Sequence, residues 1–315
     1  MSIVALMAAL AVVQTPAPSP GAPSIPQQEA PVALEDVVVE GRRLEELTRE
    51  FVDEVSAPPR RRGLARWRGG VCVGVANIRD EVAQPLADRV SQVAMEYGLR
   101  PGDPGCRPNI LVVFTDDGQS LSAAMVERRR QIFHAGVGGL DRGNVALRDF
   151  QNSDRPVRWW HVSLPTNAYT GEAGIRLPGG DAPMVVGEGL VNRGRNIRDD
   201  LNKVIVVVDM YQVENLSLPQ LADYVAMVSL AQVDPDGDTS GYATILNLFD
   251  YPEGSPGLTG WDRAYLGALY SGPSERIRNS DQARELLRNL RRASSGGAGD
   301  GTPGPGPVGP PEIGT

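Results

Sequence analysis

The stretch "SLPQLADYVAMVSLAQVD", residues 217–234, constrains the fold more than any other. Ser217 with Gln220 makes a capping box, so a helix starts at Leu218. From there to Gln232 apolar residues occupy almost the whole circumference, leaving no stripe for solvent. Such a helix is stable only when other elements enclose it. Just upstream, "DDLNKVIVVVDM" supplies an apolar strand of the kind found in the middle of a sheet covered on both faces.

The preceding region alternates. "VCVGVAN" reads as a strand, and Val82, Leu86, Val90 and Val93 mark a helix stopped by Gly98 and Pro101. "NILVVFTDD" is a second strand, followed by a helix from about Ser120 to Phe133. This β-α-β order implies neighbouring parallel strands. A short helix near Val145–Phe150 leads into the strand "PVRWWHVSLP", with Trp159 and His161 on one face and Trp160 and Val162 on the other. Thr259 with Asp262 caps a further helix, and another spans about Ser280 to Arg292. The expectation is an α+β fold: a mixed sheet with an N-terminal β-α-β unit and a helical C-terminal part.

The 315 residues divide by composition into a signal peptide (1–14), a Pro/Ala-rich linker (15–33), a strand with an amphipathic helix (34–66), one domain (67–292) and a Gly/Pro-rich tail (293–315). The apolar run Ile3–Val13 suits a secretory signal and falls short of the roughly 20 residues that cross a bilayer. Leu44, Leu47, Phe51 and Val55 have helical spacing. The tail cannot bury enough apolar surface to order itself. Cys72 and Cys106 are the only cysteines. The β-α-β return brings them within reach, which predicts a disulfide in an oxidising compartment. The protein is therefore expected to be periplasmic or secreted, without a transmembrane span once mature.

Net charge of −8 argues against nucleic acid as a partner. Lys203 is the only lysine, so no P-loop GxxxxGK[ST] exists, and no GxSxG elbow is present either. The order of elements is that of zinc metalloproteases of the zincin class, whose buried helix carries HExxH. Here the two histidines, His134 and His161, lie elsewhere; the helix offers Asp223, with Tyr224 and Met227 where glutamate and the second imidazole belong. No cofactor is expected.

Four blocks, "DRPVRWWHVSLP", "RDDLNKVIVVVD", "LAQVDPDGDTSGYATILNLFD" and "LTGWDRAYLGALY", resemble an uncharacterised family of exported bacterial proteins. The C-terminal part of that family is similar to a zincin-like domain of unknown function in envelope proteins. The resemblance covers roughly residues 68–272 and implies a zincin-like layout without the zinc motif, an envelope location and no particular reaction.

Three constellations remain as candidate sites. Asp116, Asp117 and Asp209 end two strands, where open α/β sheets gather ligands, although "TDDGQS" also reads as turn and helix cap. Asp234, Asp236 and Asp238 fill the first three positions of a calcium loop, yet Thr239 and Ile245 stand where glycine and a bidentate glutamate are needed. His161 is the candidate general base, weighed against a packed and hydrogen-bonded role; His134 reads as a helix-end cap. The expected function is a non-catalytic binding or structural domain with an unknown envelope protein or ligand as partner. The alternative is a hydrolase using the strand-end carboxylates or His161.

Overall fold

The computed structural model describes residues 34–60, 62–134, 141–175, 197–272 and 278–296. The chain divides into two units, Met1–Val39 and Glu40–Thr315, and the sheet with its covering helices belongs to the second. The expected signal peptide, linker and most of the C-terminal tail lie outside the described residues.

Helix α1, Leu34–Val55, is followed by strand β1 (Val73–Ala76), α2 (Asp80–Glu96), β2 (Ile110–Thr115) and α3 (Gly118–Arg129). Then come α4 (Gly143–Asn152), β3 (Val157–Asn167), β4 (Ile197–Asp209), α5 (Leu218–Leu230), α6 (Gly260–Ser271) and α7 (Asn279–Gly296). The strand expected ahead of α1 is not formed, because helix already begins at Leu34. Val37 lies two helical turns before Leu44, so the "VVV" run continues the helical period, which outweighs its β-propensity. Phe51, Val52 and Val55 are fully buried in the main core, so the C-terminal half of this helix packs within the second unit.

The sheet order is β1-β2-β4-β3, with β1, β2 and β4 parallel and β3 antiparallel to β4. Alternation sorts the side chains into two cores. Val112, Val206, Val208 and Trp159 join α2 and α5 on one face; Ile205, Val207, Trp160 and Val162 meet α3 and α4 on the other. Both faces of β4 are thus covered, as its uninterrupted apolar sequence requires. Among the described residues no helix is long and apolar enough to cross a membrane.

Cys72 and Cys106 form a disulfide with Cα atoms 6.1 Å apart. It closes a loop of sequence separation 34 and fixes the entry to β1 beside that to β2. Asn109 reinforces the junction: its Oδ1 accepts from Cys72 N at 2.7 Å and its Nδ2 donates to Gly70 O at 2.9 Å. Replacing both cysteines by serine is expected to lower unfolding free energy by about 3–4 kcal/mol on the chain-entropy model. Urea unfolding reads this as an earlier midpoint; an unchanged midpoint contradicts a stabilising role for the bridge.

Candidate functional site

Every residue from Leu221 to Leu230 of α5 is buried, including Asp223 and Ser229. Burying Val225, Met227, Val228 or Leu230 contributes about 2 kcal/mol each by transfer from water. The last four carbonyls of a helix have no partner within it, and each one buried unsatisfied costs about 1–3 kcal/mol. Left open, that end would cancel most of the gain. All four are satisfied. Met227 O accepts from Ala231 N at 3.2 Å. Val228 O accepts from His161 Nε2 at 2.7 Å, Ser229 O from Trp67 Nε1 at 2.9 Å and Leu230 O from the Tyr270 hydroxyl at 2.7 Å.

Past the helix end the same device continues. Trp159 Nε1 donates to Val233 O at 3.0 Å. Gln232 Oε1 accepts from Ala65 N at 2.7 Å while its Nε2 donates to Ser163 Oγ at 3.3 Å. The arm carrying Trp67 is itself anchored by a buried ion pair, Arg62 Nε to Asp199 Oδ1 at 2.6 Å, and Arg62 Nη1 also donates to Ser163 O at 2.9 Å.

His161 is thereby placed. A carbonyl can only accept, so Nε2 carries a proton, and burial favours the neutral form of the ring. Burial pushes the group down to about 4, against the raising effect of its bond to Val228. Asp223, the only acid on the helix, is equally committed: Oδ1 accepts from Arg89 Nε at 2.5 Å and Oδ2 from Leu258 N at 2.8 Å. Gly257 is required here, because a Cβ would meet Asp223 Oδ2 at 2.6 Å. Asp262, fully buried, accepts from Thr244 Oγ1, Ile245 N and Thr259 N, while burial raises its carboxyl.

The strand-end aspartates are brought to one edge of the sheet, where Asp117 and Asp209 bond backbone N–H groups of the following helix and turn. Asp117 Oδ1 accepts from Ser120 N at 2.8 Å, and these serine bonds hold its carboxyl below the usual range. Asp209 Oδ2 accepts from Gly118 N at 3.1 Å and Oδ1 from Tyr211 N at 3.2 Å. Asp116 is exposed beside them. Arg158, 2 % exposed, packs over Gly118, and its Nε and Nη1 make no hydrogen bond among the described residues.

Two of the three carboxylates of the acidic turn pair with arginines. Asp234 accepts from Arg142 Nη2 at 3.0 Å, Asp236 pairs with Arg155, and Asp238 accepts from Ser240 Oγ at 2.7 Å. Its frame is not that of an EF-hand, since a short 3-10 turn, Ile245–Asn247, follows where the exiting helix would stand. Gly237 lets the turn approach α1, where a Cβ would lie 2.3 Å from Glu54 O. His134 Nδ1 lies 2.5 Å from Asp141 Oδ2.

Among the described residues no three His, Cys, Asp or Glu side chains are grouped as metal ligands. A concavity of about 140 Å³ lies between α1 and α7 and another of about 240 Å³ between α6 and α7. Both are smaller than the roughly 300–1,000 Å³ usual for small-molecule sites. His161 and Trp159 stand out in the sequence, but Trp67, Tyr270 and Gln232 do not, because they sit in separate segments with no shared motif. No protein-family model, curated protein or solved structure matches the chain.

His161→Leu, which keeps the volume but removes the donor, is expected to cost about 1–3 kcal/mol in urea unfolding near neutral pH. A base whose folded value lies below its ordinary 6.5 is less protonated in the folded chain. Stability is then complete above about 6.5 and falls as pH drops toward about 4, by on the order of 3 kcal/mol in all. Asp262, raised by burial, has the opposite slope, so the wild-type minus His161→Leu difference isolates the imidazole. An identical pH profile for the two proteins contradicts the cap.

Proposed function

We propose that this is an exported protein of the cell envelope whose α+β domain binds or braces a partner and carries out no reaction. The arrangement that supports this most directly is at α5. Where a zincin would present imidazoles and a catalytic glutamate, this helix presents hydrocarbon, and the one nearby imidazole is neutral, buried and spent on Val228 O.

Three further features favour the same view. The strand order, with an antiparallel edge strand and the buried helix following β4, is compatible with the zincin-like layout that the sequence resemblance implies. The Cys72–Cys106 bridge suits an oxidising compartment. Of the carboxylates weighed as metal ligands or catalysts, Asp117 and Asp209 are engaged as helix cap and in the turn after β4, and Asp234 and Asp236 with arginines.

Calorimetric titration of the purified full-length chain with Zn²⁺, Mg²⁺ and Ca²⁺ tests this. The expected result is no saturable uptake tighter than about 1 mM, the affinity of weak surface carboxylate sites. Stoichiometric uptake that Asp116→Ala or Asp209→Ala abolishes would favour the hydrolase reading and overturn the binding-domain proposal.

A further inference from the structure

The two edge strands of the sheet are finished differently. β3 is buried from Val157 to Ser163. β1 is part-exposed at all four of its residues. Its sequence, VGVA, holds none of the prolines, charges or bulges that blunt an open edge, and only its shortness restrains it.

The register identifies which backbone groups are open. Ile110 N donates to Cys72 O, so Cys72 and, by alternation, Gly74 and Ala76 turn their backbone groups toward β2. Val71 turns the other way: its N donates to Arg100 O at 2.9 Å and its O accepts from Gly102 N at 2.8 Å. Segment 100–102 thus fills the lane outside β1 at Val71 alone. Val73 and Val75 face the same lane, and neither their N–H nor their C=O groups are bonded among the described residues. At the far end Asn77, with φ 63°, turns the chain out of strand geometry. The open lane is therefore as long as β1 itself.

We propose that a second copy of the chain fills this lane with its own β1, antiparallel about a two-fold axis at Gly74. The proposal concerns self-association and does not rest on the partner-binding role above. Val73 of each copy then lies opposite Val75 of the other, and every outward N–H and C=O of the two strands is matched. Asn77 of one copy comes level with Val71 of the other, so one chain leaves the lane where segment 100–102 of the other enters it. The part-buried Val73 and Val75 side chains gain cross-strand neighbours. Exposed Arg79, Asp80 and Glu81 follow β1, whereas exposed Arg100, Asp103 and Arg107 flank its start; Glu96 near that start is paired with Arg263. Antiparallel pairing sets the net acidic end of each copy against the net basic end of the other. Both β3 strands stay buried at the outer ends, so the assembly closes at two.

Sedimentation velocity of the full chain, with amide exchange read at Val73 and Val75, tests this. The expected result is a monomer–dimer equilibrium between about 1 μM and about 1 mM, as suits an interface of small area. Exchange at both amides should slow about tenfold or more as the dimer forms. Val75→Pro removes an N–H that nothing in its own chain accepts, so melting should stay near wild type while dimerisation weakens about tenfold or more. Asp80→Arg/Glu81→Arg should weaken it severalfold, and adding Arg100→Glu/Arg107→Glu to the same chain should restore it. A chain that stays monomeric overturns the proposal. So does a dimer that Val75→Pro leaves intact, or one in which both amides exchange as fast as in the monomer. Slow exchange at every concentration overturns it too, because another segment of the same chain then fills the lane. If Val75→Pro unfolds, the charge reversal decides: no restoration by the second pair overturns the antiparallel dimer.

Discussion

A helix enclosed on all sides has nowhere to send its last carbonyl groups except to other parts of the protein. In this domain that constraint falls on α5, and three aromatic side chains answer it. His161 comes from β3, Trp67 from the arm before β1 and Tyr270 from α6. Each brings a single donor on a flat apolar body, so it satisfies a carbonyl and fills core volume at once. The three contacts also tie the edge strand, the N-terminal arm and the C-terminal helices to one point. Further buried polar groups serve that junction: Gln232 and the Arg62–Asp199 pair hold the arm in the place Trp67 needs.

Much of the fold was legible because it rests on short-range rules. The capping boxes at Ser217 and Thr259 are both formed, and the two-residue period of β3 sorts Trp159 and Trp160 into opposite cores. The apolar run of β4 lies between two other strands with both faces covered. The Cys72–Cys106 pairing followed from the β-α-β return. What local rules mishandled was the start of α1, where β-branched valines suggested a strand but the helical period continues through them.

The polar junction was illegible for a different reason. The residues that close α5 lie at 67, 161 and 270, and nothing in their own neighbourhoods marks them as donors to one helix end. Trp67 stands in an arginine-rich arm, and Tyr270 looks like one more member of an apolar helix face. The aspartates at 116, 117 and 209 present the converse problem. Their spacing is equally good for a metal or for a cap, and only the hydrogen-bond partners of Asp117 and Asp209 separate the two. The polar groups of and around α5 are thus spent on closing and anchoring the buried helix.

Nitrogen-15 spectroscopy of the imidazoles tests the junction most directly, because the full chain has only His134 and His161 to assign. His161 is expected to carry its proton on Nε2 and to keep one unchanging neutral signature from pH 8 down to about pH 5. A ring protonated on Nδ1, or one that titrates near its ordinary value of 6.5, would mean that Val228 O has no such donor and that the buried helix is closed in some other way.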